Sequence, residues 1–354
     1  MQRRKTRAVR VGGITIGGGA AVSVQSMTNT DTRNVNETVA QIHRLEKAGC
    51  DIVRVAVPDA AAANALKEIK NQINIPLVAD IHFDHRLALK ALEAGVDKLR
   101  INPGNIGARE KVEAVANAAS ERGVPIRIGV NAGSIDKAKY GPPSAESLAN
   151  SALDQVRVLE ELDFHGIVIS LKSFDAPMTI AAYRRMSELV DYPLHIGVTE
   201  AGLAWEGTIR SAIGIGALLA EGIGDTLRVS LTTDPVEEVK VGMEILYALD
   251  LREPPFTVIS CPTCGRSGVD ISVLAEDVKD RLSKRKMARP LKVAVMGCAV
   301  NGPGEAAMAD VGITGGSGVG MIFVKGQLAR KVREEELVDE LMKEIERIEH
   351  DQES

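Results

Sequence analysis

Short apolar runs rich in β-branched residues alternate along the first two-thirds of the chain with longer segments whose apolar positions recur every three or four residues. The short runs are Val22–Ser26, Asp51–Val57, Leu77–Ile81, Asp97–Ile101, Pro125–Val130, Gly166–Leu171, Pro193–Val198 and Asp225–Ser230. Segments such as Val35–Ala48, Arg86–Glu93, Ala145–Leu162 and Val236–Leu249 follow them with helical spacing. Strict strand–helix alternation predicts a parallel sheet, and eight units over about 250 residues match a closed (β/α)8 TIM barrel. An open doubly wound sheet is the alternative. Helix-stop glycines stand where helix-to-strand turns belong, as in Ala48-Gly49-Cys50-Asp51 and Ala94-Gly95-Val96-Asp97. Ahead of the alternation, Val9 to Ile16 reads as a small hairpin.

The pattern breaks at Arg252-Glu-Pro-Pro255, a stiff polar linker, which divides the chain into residues 1–250 and 251–354. The second part reads as a small α/β domain: a strand Phe256–Ser260, a helix near Val269–Arg285, strands Leu291–Val295 and near Gly320–Val324, and a charged helix from Glu334 to about Ile348.

Composition narrows the function without naming it. A hydrophobic share of 45% and a charged share of 26% are those of an ordinary globular protein. A net charge of −5 and ten aromatic residues leave neither the basic face nor the stacking platforms of a nucleic-acid binder. The longest apolar run, Ala212 to Ala220, is about half a bilayer span. No apolar segment follows the basic Met1–Arg7, and the few cysteines are clustered, so a reducing cytoplasm is expected.

Active-site residues of a barrel of this kind sit at the C-terminal ends of its strands. Those positions hold Arg54, Asp80 and His82, Arg100 and Asn102, Arg127 and Asn131, Lys172, Glu200, and Arg228 with Ser230. Four of eight strands contribute an arginine and a fifth a lysine, although buried parallel strands should be almost wholly apolar. Converging guanidinium groups suit a highly charged anion such as a phosphate ester, because they make bidentate, charge-assisted bonds to its oxygens. The competing reading pairs each cation with a carboxylate at the rim. Glu200 is placed either for general acid work or to cap the helix that follows. His82 could donate to a ligand oxygen or be a satisfied rim histidine. His195, inside strand seven, could fill the core or make a polar interior contact, while His43 and His165 read as packing.

Three of the four cysteines lie in Cys261-Pro-Thr-Cys264 and Gly-Cys298-Ala-Val-Asn-Gly-Pro-Gly-Glu305, with 33 residues between Cys264 and Cys298. Clustered thiolates in a cysteine-poor chain hold a metal. Either zinc or a 4Fe-4S cluster takes four protein ligands, so one is missing. The remaining Cys50 reads as a small buried hydrophobe, and the second domain offers no histidine before His350. Glu305, returned by the Asn301–Gly304 turn, is the candidate fourth ligand. A hard, exchangeable carboxylate favours a 4Fe-4S cluster over a closed zinc ribbon.

Together with Val-Gln25-Ser26-Met-Thr-Asn29-Thr, Asp80-Ile-His82-Phe and Arg100-Ile-Asn102-Pro-Gly104-Asn105, these cysteine motifs make the chain resemble the bacterial 4-hydroxy-3-methylbut-2-enyl diphosphate synthases along nearly its whole length. The resemblance implies reductive ring opening and dehydroxylation of 2-C-methyl-D-erythritol 2,4-cyclodiphosphate, with flavodoxin or ferredoxin as one-electron donor. It implies that Cys261, Cys264, Cys298 and Glu305 hold the cluster, that Arg54, Arg100, Arg127, Asn131, Lys172, Arg228 and Ser230 bind the diphosphate, and that Glu200 is a candidate proton donor.

The linker follows the eighth helix, which at about 1.5 Å per residue carries the chain roughly 24 Å from the barrel mouth. Residues 250–260 would have to stretch back along the wall, at most roughly 34 Å near the polyproline rise of about 3.1 Å per residue. A head-to-tail homodimer, with the active site shared between subunits, avoids this.

Overall fold

The protein is described by a computed structural model that covers residues 2–262, 269–297, 308–316 and 318–350. It divides at Arg252 into two compact units.

The first unit opens with the expected hairpin, β1 (Val9–Val11) and β2 (Ile14–Ile16). Eight parallel strands follow: β3 (Ser23–Met27), β4 (Ile52–Ala56), β5 (Leu77–Asp80), β6 (Lys98–Ile101), β7 (Ile126–Asn131), β8 (Ile167–Lys172), β9 (His195–Ile196) and β10 (Thr226–Leu227). Neighbours in sequence are neighbours in space, β10 returns to β3, and a bridge between Ile169 and Leu194 closes the ring. The alternation therefore makes a barrel and not an open sheet. Its outer helices are α1 (Val35–Lys47), α2 (Ala60–Asn71), α3 (His85–Glu93), α4 (Arg109–Glu121), α5 (Ala145–Glu160), α6 (Ala176–Leu189), α7 (Ala204–Ala220) and α8 (Pro235–Ala248).

Local chemistry fixes the helix ends. Asn34, Asp59, Asp84, Ser144, Asp175 and Asp234 each accept a first-turn N–H, which satisfies a donor the helix cannot pair internally. Gly49 and Gly95 leave α1 and α3 at φ +99° and +83°, a conformation that costs other residues energy.

Alternation along each strand divides the barrel into two environments. Val53, Val55, Leu99, Ile101, Ile126, Ile128, Ile167 and Ile169 face the helices in one large core. The other face points into the barrel. At its N-terminal end, Ile52 and Val78 pack against Val11, Ile14 and Ile16, so the hairpin plugs the bottom. Above that plug the interior turns polar.

The second unit is a five-stranded sheet in the order β11 (Phe256–Ser260), β12 (Leu291–Met296), β13 (Val311–Gly316), β14 (Val319–Val324), β15 (Gln327–Arg333). β11 to β13 run parallel, and β13 to β15 antiparallel. Helices α9 (Ile271–Ser283) and α10 (Leu337–His350) pack on one face through Val278, Leu282, Leu337, Leu341 and Ile345. Two of these strands, β13 and β15, are not anticipated by the sequence reading.

Candidate active site

The polar barrel interior follows from strand periodicity. Arg54 is central in β4, Asp80 ends β5, and Lys98 and Arg100 share the inward face of β6. Arg127 lies on β7, Ser170 and Lys172 on β8, His195 on β9 and Thr226 on β10. All of these are buried; Arg228, just past β10, is half-buried.

Asp80 organises one side. It accepts Arg100 Nη1 at 3.1 Å, lies 3.7 Å from Arg54 Nε, and has His82 Nε2 at 3.6 Å. Burial alone would raise its pKa, but Arg54, His82 and Arg100 outweigh burial and hold the carboxyl well below its usual range. Glu238 of α8 organises the other side, accepting Arg228 Nη2 at 3.4 Å and the Leu231 N–H at 3.0 Å. Between them, Arg54 donates to the Met27 sulfur at 2.9 Å through Nη2, and Arg127 Nη1 donates to Ser170 Oγ at 2.6 Å. Two glycines make room. A Cβ at Gly129 would lie 2.7 Å from Arg100 Nε, and one at Gly197 would lie 2.3 Å from the Arg228 carbonyl and 3.0 Å from Lys172 Nζ.

Among the described residues, six basic side chains therefore face two carboxylates: Arg54, Lys98, Arg100, Arg127, Lys172 and Arg228 against Asp80 and Glu238. Pairing at the rim accounts for Arg54, Arg100 and Arg228. Among the described residues it gives Lys98, Arg127 and Lys172 no ion pair. Guanidinium groups keep their protons even when buried, so the excess charge bears on the other groups. Burial, then Arg127 and other cations, lowers Lys172 well below an ordinary lysine. Burial, then Lys172, Arg127 and Lys98, does the same to His195. That histidine is fully buried among the cations, and neither ring nitrogen is hydrogen-bonded within the described structure. It lies inside the barrel, as expected, and makes no polar contact within the described structure.

The remaining expected residues surround this cage. His82 is half-exposed beside Asp80, and Asn131 and Ser230 are half-buried at the ends of their strands. Glu200 is exposed after β9 with φ +53°. It does not cap α7, which starts at Ala204 with no side-chain cap, so the capping alternative falls away. His43 and His165 correct the packing expectation: both are about half-exposed, His43 beside Glu46 and His165 bonded to Tyr192 and Asp163. The sequence reading missed Lys98 and its partner Gln25. The signal was there: Lys98 stands two residues before Arg100, hence on the same strand face.

Of the metal-binding candidates, Cys264, Cys298 and Glu305 lie outside the described residues. Cys261 leaves the end of β11 half-buried, and its sulfur accepts the Gly297 N–H at 3.4 Å. The parallel pairing of β11 with β12 thus brings Cys261 against the residue that immediately precedes Cys298. Cluster sulfurs accept such N–H bonds, so Cys261, the candidate ligand among the described residues, fits an iron–sulfur site. Cys50, by contrast, is buried, bonds the Ile52 carbonyl, and has its thiol pushed up to about 12 by burial.

Comparison with known proteins gives a consistent picture. Residues 6–243 match the family model of the GcpE TIM-barrel domain and residues 257–347 that of the GcpE protein C-terminal domain. Proteins named 4-hydroxy-3-methylbut-2-en-1-yl diphosphate synthase (flavodoxin) are similar over nearly the whole chain. The one from Geobacillus thermodenitrificans is 60% identical, covering 98% of this chain and 93% of its own. The one from Clostridium perfringens is 61% identical, covering 98% and 100%. Among solved structures, Yersinia pestis dihydropteroate synthase superimposes with a TM-score of 0.51 at 12% identity, over 69% of this chain and 97% of its own, a likeness of fold alone.

Proposed function

Because the chain belongs to the GcpE family, we propose that it catalyses the two-electron reductive ring opening and dehydroxylation of 2-C-methyl-D-erythritol 2,4-cyclodiphosphate, a step of isoprenoid biosynthesis. Two electrons and two protons convert the cyclic diphosphate to 4-hydroxy-3-methylbut-2-enyl diphosphate and water. The observation that carries this reading is the barrel interior, where, among the described residues, six basic side chains face two carboxylates. Such an excess is unfavourable in an empty barrel and suits a ligand whose two phosphates each carry a negative charge.

Arg54, Arg100, Arg127, Lys172 and Arg228 grip the diphosphate, with Asn131, Ser230 and His82 as polar contacts at the rim. Asp80 and Glu238 orient three of the arginines, and the buried position excludes water from the anion. Glu200, exposed beyond β9, delivers a proton at the departing hydroxyl oxygen. Cys261, Cys264, Cys298 and Glu305 would hold a 4Fe-4S cluster, with Glu305 the exchangeable ligand. When bound, the cluster supplies electrons one at a time, received from flavodoxin or ferredoxin; flavodoxin is the donor named for the relatives.

A homodimer sharing its active sites completes the reading. Arg252 ends the first unit bonded to Asp51 at 2.8 Å and to the Val22 carbonyl at 3.2 Å, both just before strands β4 and β3. The chain therefore leaves the barrel at its N-terminal end, opposite the strand ends that carry Glu200 and Ser230. Mixing Glu305→Ala with Arg127→Met subunits should restore part of the activity through hybrid dimers. Proven exchange without recovery counts against a shared site.

The direct test is anaerobic. The full chain with its cluster reconstituted, reduced flavodoxin and the cyclic diphosphate should yield the linear diphosphate; consumption of reductant without that product contradicts the assignment. Among the described residues no helix is long and apolar enough to cross a membrane.

A further inference from the structure

One cation of the barrel interior, Lys98, lies deeper than the strand ends and is given no contact to the diphosphate in the proposed reaction. Lys98 is fully buried on β6, and its Nζ donates to Gln25 Oε1 of β3 at 3.1 Å. That neutral amide is the acceptor the structure gives it; among the described residues Lys98 has no ion pair. The tier around it is unusually short of partners. Gln25 Nε2, Arg127 Nε and Nη2, both nitrogens of His195, Ser23 Oγ and Thr226 Oγ1 are buried with no hydrogen bond within the described structure. Ser23, Thr226 and His195 stand in register on three adjacent strands.

Buried polar groups are ordinarily satisfied, and an unpaired buried ammonium is costly unless a counter-charge arrives. An anion bound at the strand ends would supply that counter-charge. We propose that Lys98 is a positioning residue of the anion site: its ammonium, held by Gln25, completes the field of the cage, and capture of the cyclic diphosphate brings a proton from solvent into the barrel to charge it. This inference rests on the diphosphate reading.

The charged and titratable groups of the interior support it. Arg54, Arg100, Arg127 and Arg228 are the guanidinium groups, Lys172 is a second buried amine lowered in the same direction as Lys98, His82 and His195 are imidazoles, and Asp80 and Glu238 are the carboxylates. Burial, then Arg127 and Arg54, lowers Lys98 well below an ordinary lysine, the direction that burial without an ion pair favours. A bound dianion reverses the sign of the local field and restores the proton. By linkage, uptake of a proton on binding means that affinity falls as pH rises through the range in which the free amine deprotonates.

The test is isothermal titration of the full-length, cluster-loaded, oxidised protein with the cyclic diphosphate, without reductant. It is run at about pH 8.5, above the imidazole range, in buffers of different ionisation enthalpy. Each phosphorus of the cyclic ligand carries one strongly acidic proton, so the ligand itself does not titrate there. The expected result is a net uptake of protons on binding. Lys98→Met should bind roughly tenfold more weakly with most of that uptake gone, and Lys98→Arg, which stays charged, should bind without it. A lysine that merely braces the barrel would change stability and leave the proton count alone.

Binding by the wild type with the same heat in every buffer overturns the proposal and leaves the function standing, as does uptake that persists at full size in both variants. Failure of both variants to fold would make Lys98 a structural group and also overturn it. Failure of the wild type to bind the ligand at all removes the function reading, and the proposal with it.

Discussion

Glu200 shows most plainly where local geometry and function part. Its φ of +53° lies in the left-handed region, it is exposed, and it caps nothing. A non-glycine residue held there costs of order 1 kcal/mol, which the fold does not need to spend on an exposed loop residue. Glu200→Gly should therefore unfold at higher denaturant, by about 1 kcal/mol, while losing turnover; a variant that is both active and no more stable would show that the carboxylate is dispensable. His195 gives a pH signature. Its folded pKa is lowered below the unfolded value of about 6.5, so above that pH it is neutral in both states and carries no penalty. As pH falls through about 6.5, the unfolded chain takes a proton that the folded barrel refuses, and stability drops by up to about 1.4 kcal/mol per pH unit. Urea unfolding from pH 7.5 to 5 should show that slope, and His195→Gln should flatten it.

At the scale of elements, the strands act as rulers. One face of each builds the outer core and the other builds the cage, so a single inward glycine sets how an arginine lies. A methyl at Gly129 would meet Arg100 Nε at 2.7 Å, with the Arg100–Asp80 bond directly at stake. Gly129→Ala should keep the barrel folded and lower kcat/KM by roughly 10- to 100-fold, the effect of misplacing a binding group by less than its own length. Unchanged kinetics would mean that Arg100 is not part of the grip.

The eight barrel strands were legible because each is a short β-branched run followed by a helical period, and the arginines stood out because buried strands rarely carry charge. Lys98 is not legible in the same way, because it lies one tier deeper than the strand end, where a barrel's ligand-binding residues are expected. β13 and β15 were missed for opposite reasons. Val311–Gly316 contains three glycines, and Gln327–Arg333 is an exposed edge strand carrying three cations, which protects an edge from pairing with another chain but hides its strand character. The histidines were hardest to assign: a lone imidazole gives no periodic signal, and only the packed structure separates His195, enclosed by cations, from His43 and His165 at the surface.

For the molecule as a whole, the division of labour is one of charge. The barrel supplies an interior with too many cations, and the second unit supplies a half-buried Cys261 thiol beside the turn that leads to Cys298. A barrel built for stability alone would not keep Arg127, which is 2% exposed, bonded to one serine, and surrounded by other cations. Replacing such a group with an apolar one of similar size is neutral or stabilising by roughly 1–3 kcal/mol, provided that its charge serves a ligand and not the fold. The most direct measurement is thus the thermal midpoint of the wild type and of Arg127→Met, each with and without the cyclic diphosphate. Ligand at about 100 times its Kd should stabilise the wild type by roughly 2.7 kcal/mol, a rise of about 5–10 °C. The variant should unfold at the same or a higher temperature than the free wild type and show no rise. A variant that starts lower and still gains the full ligand shift would contradict the account.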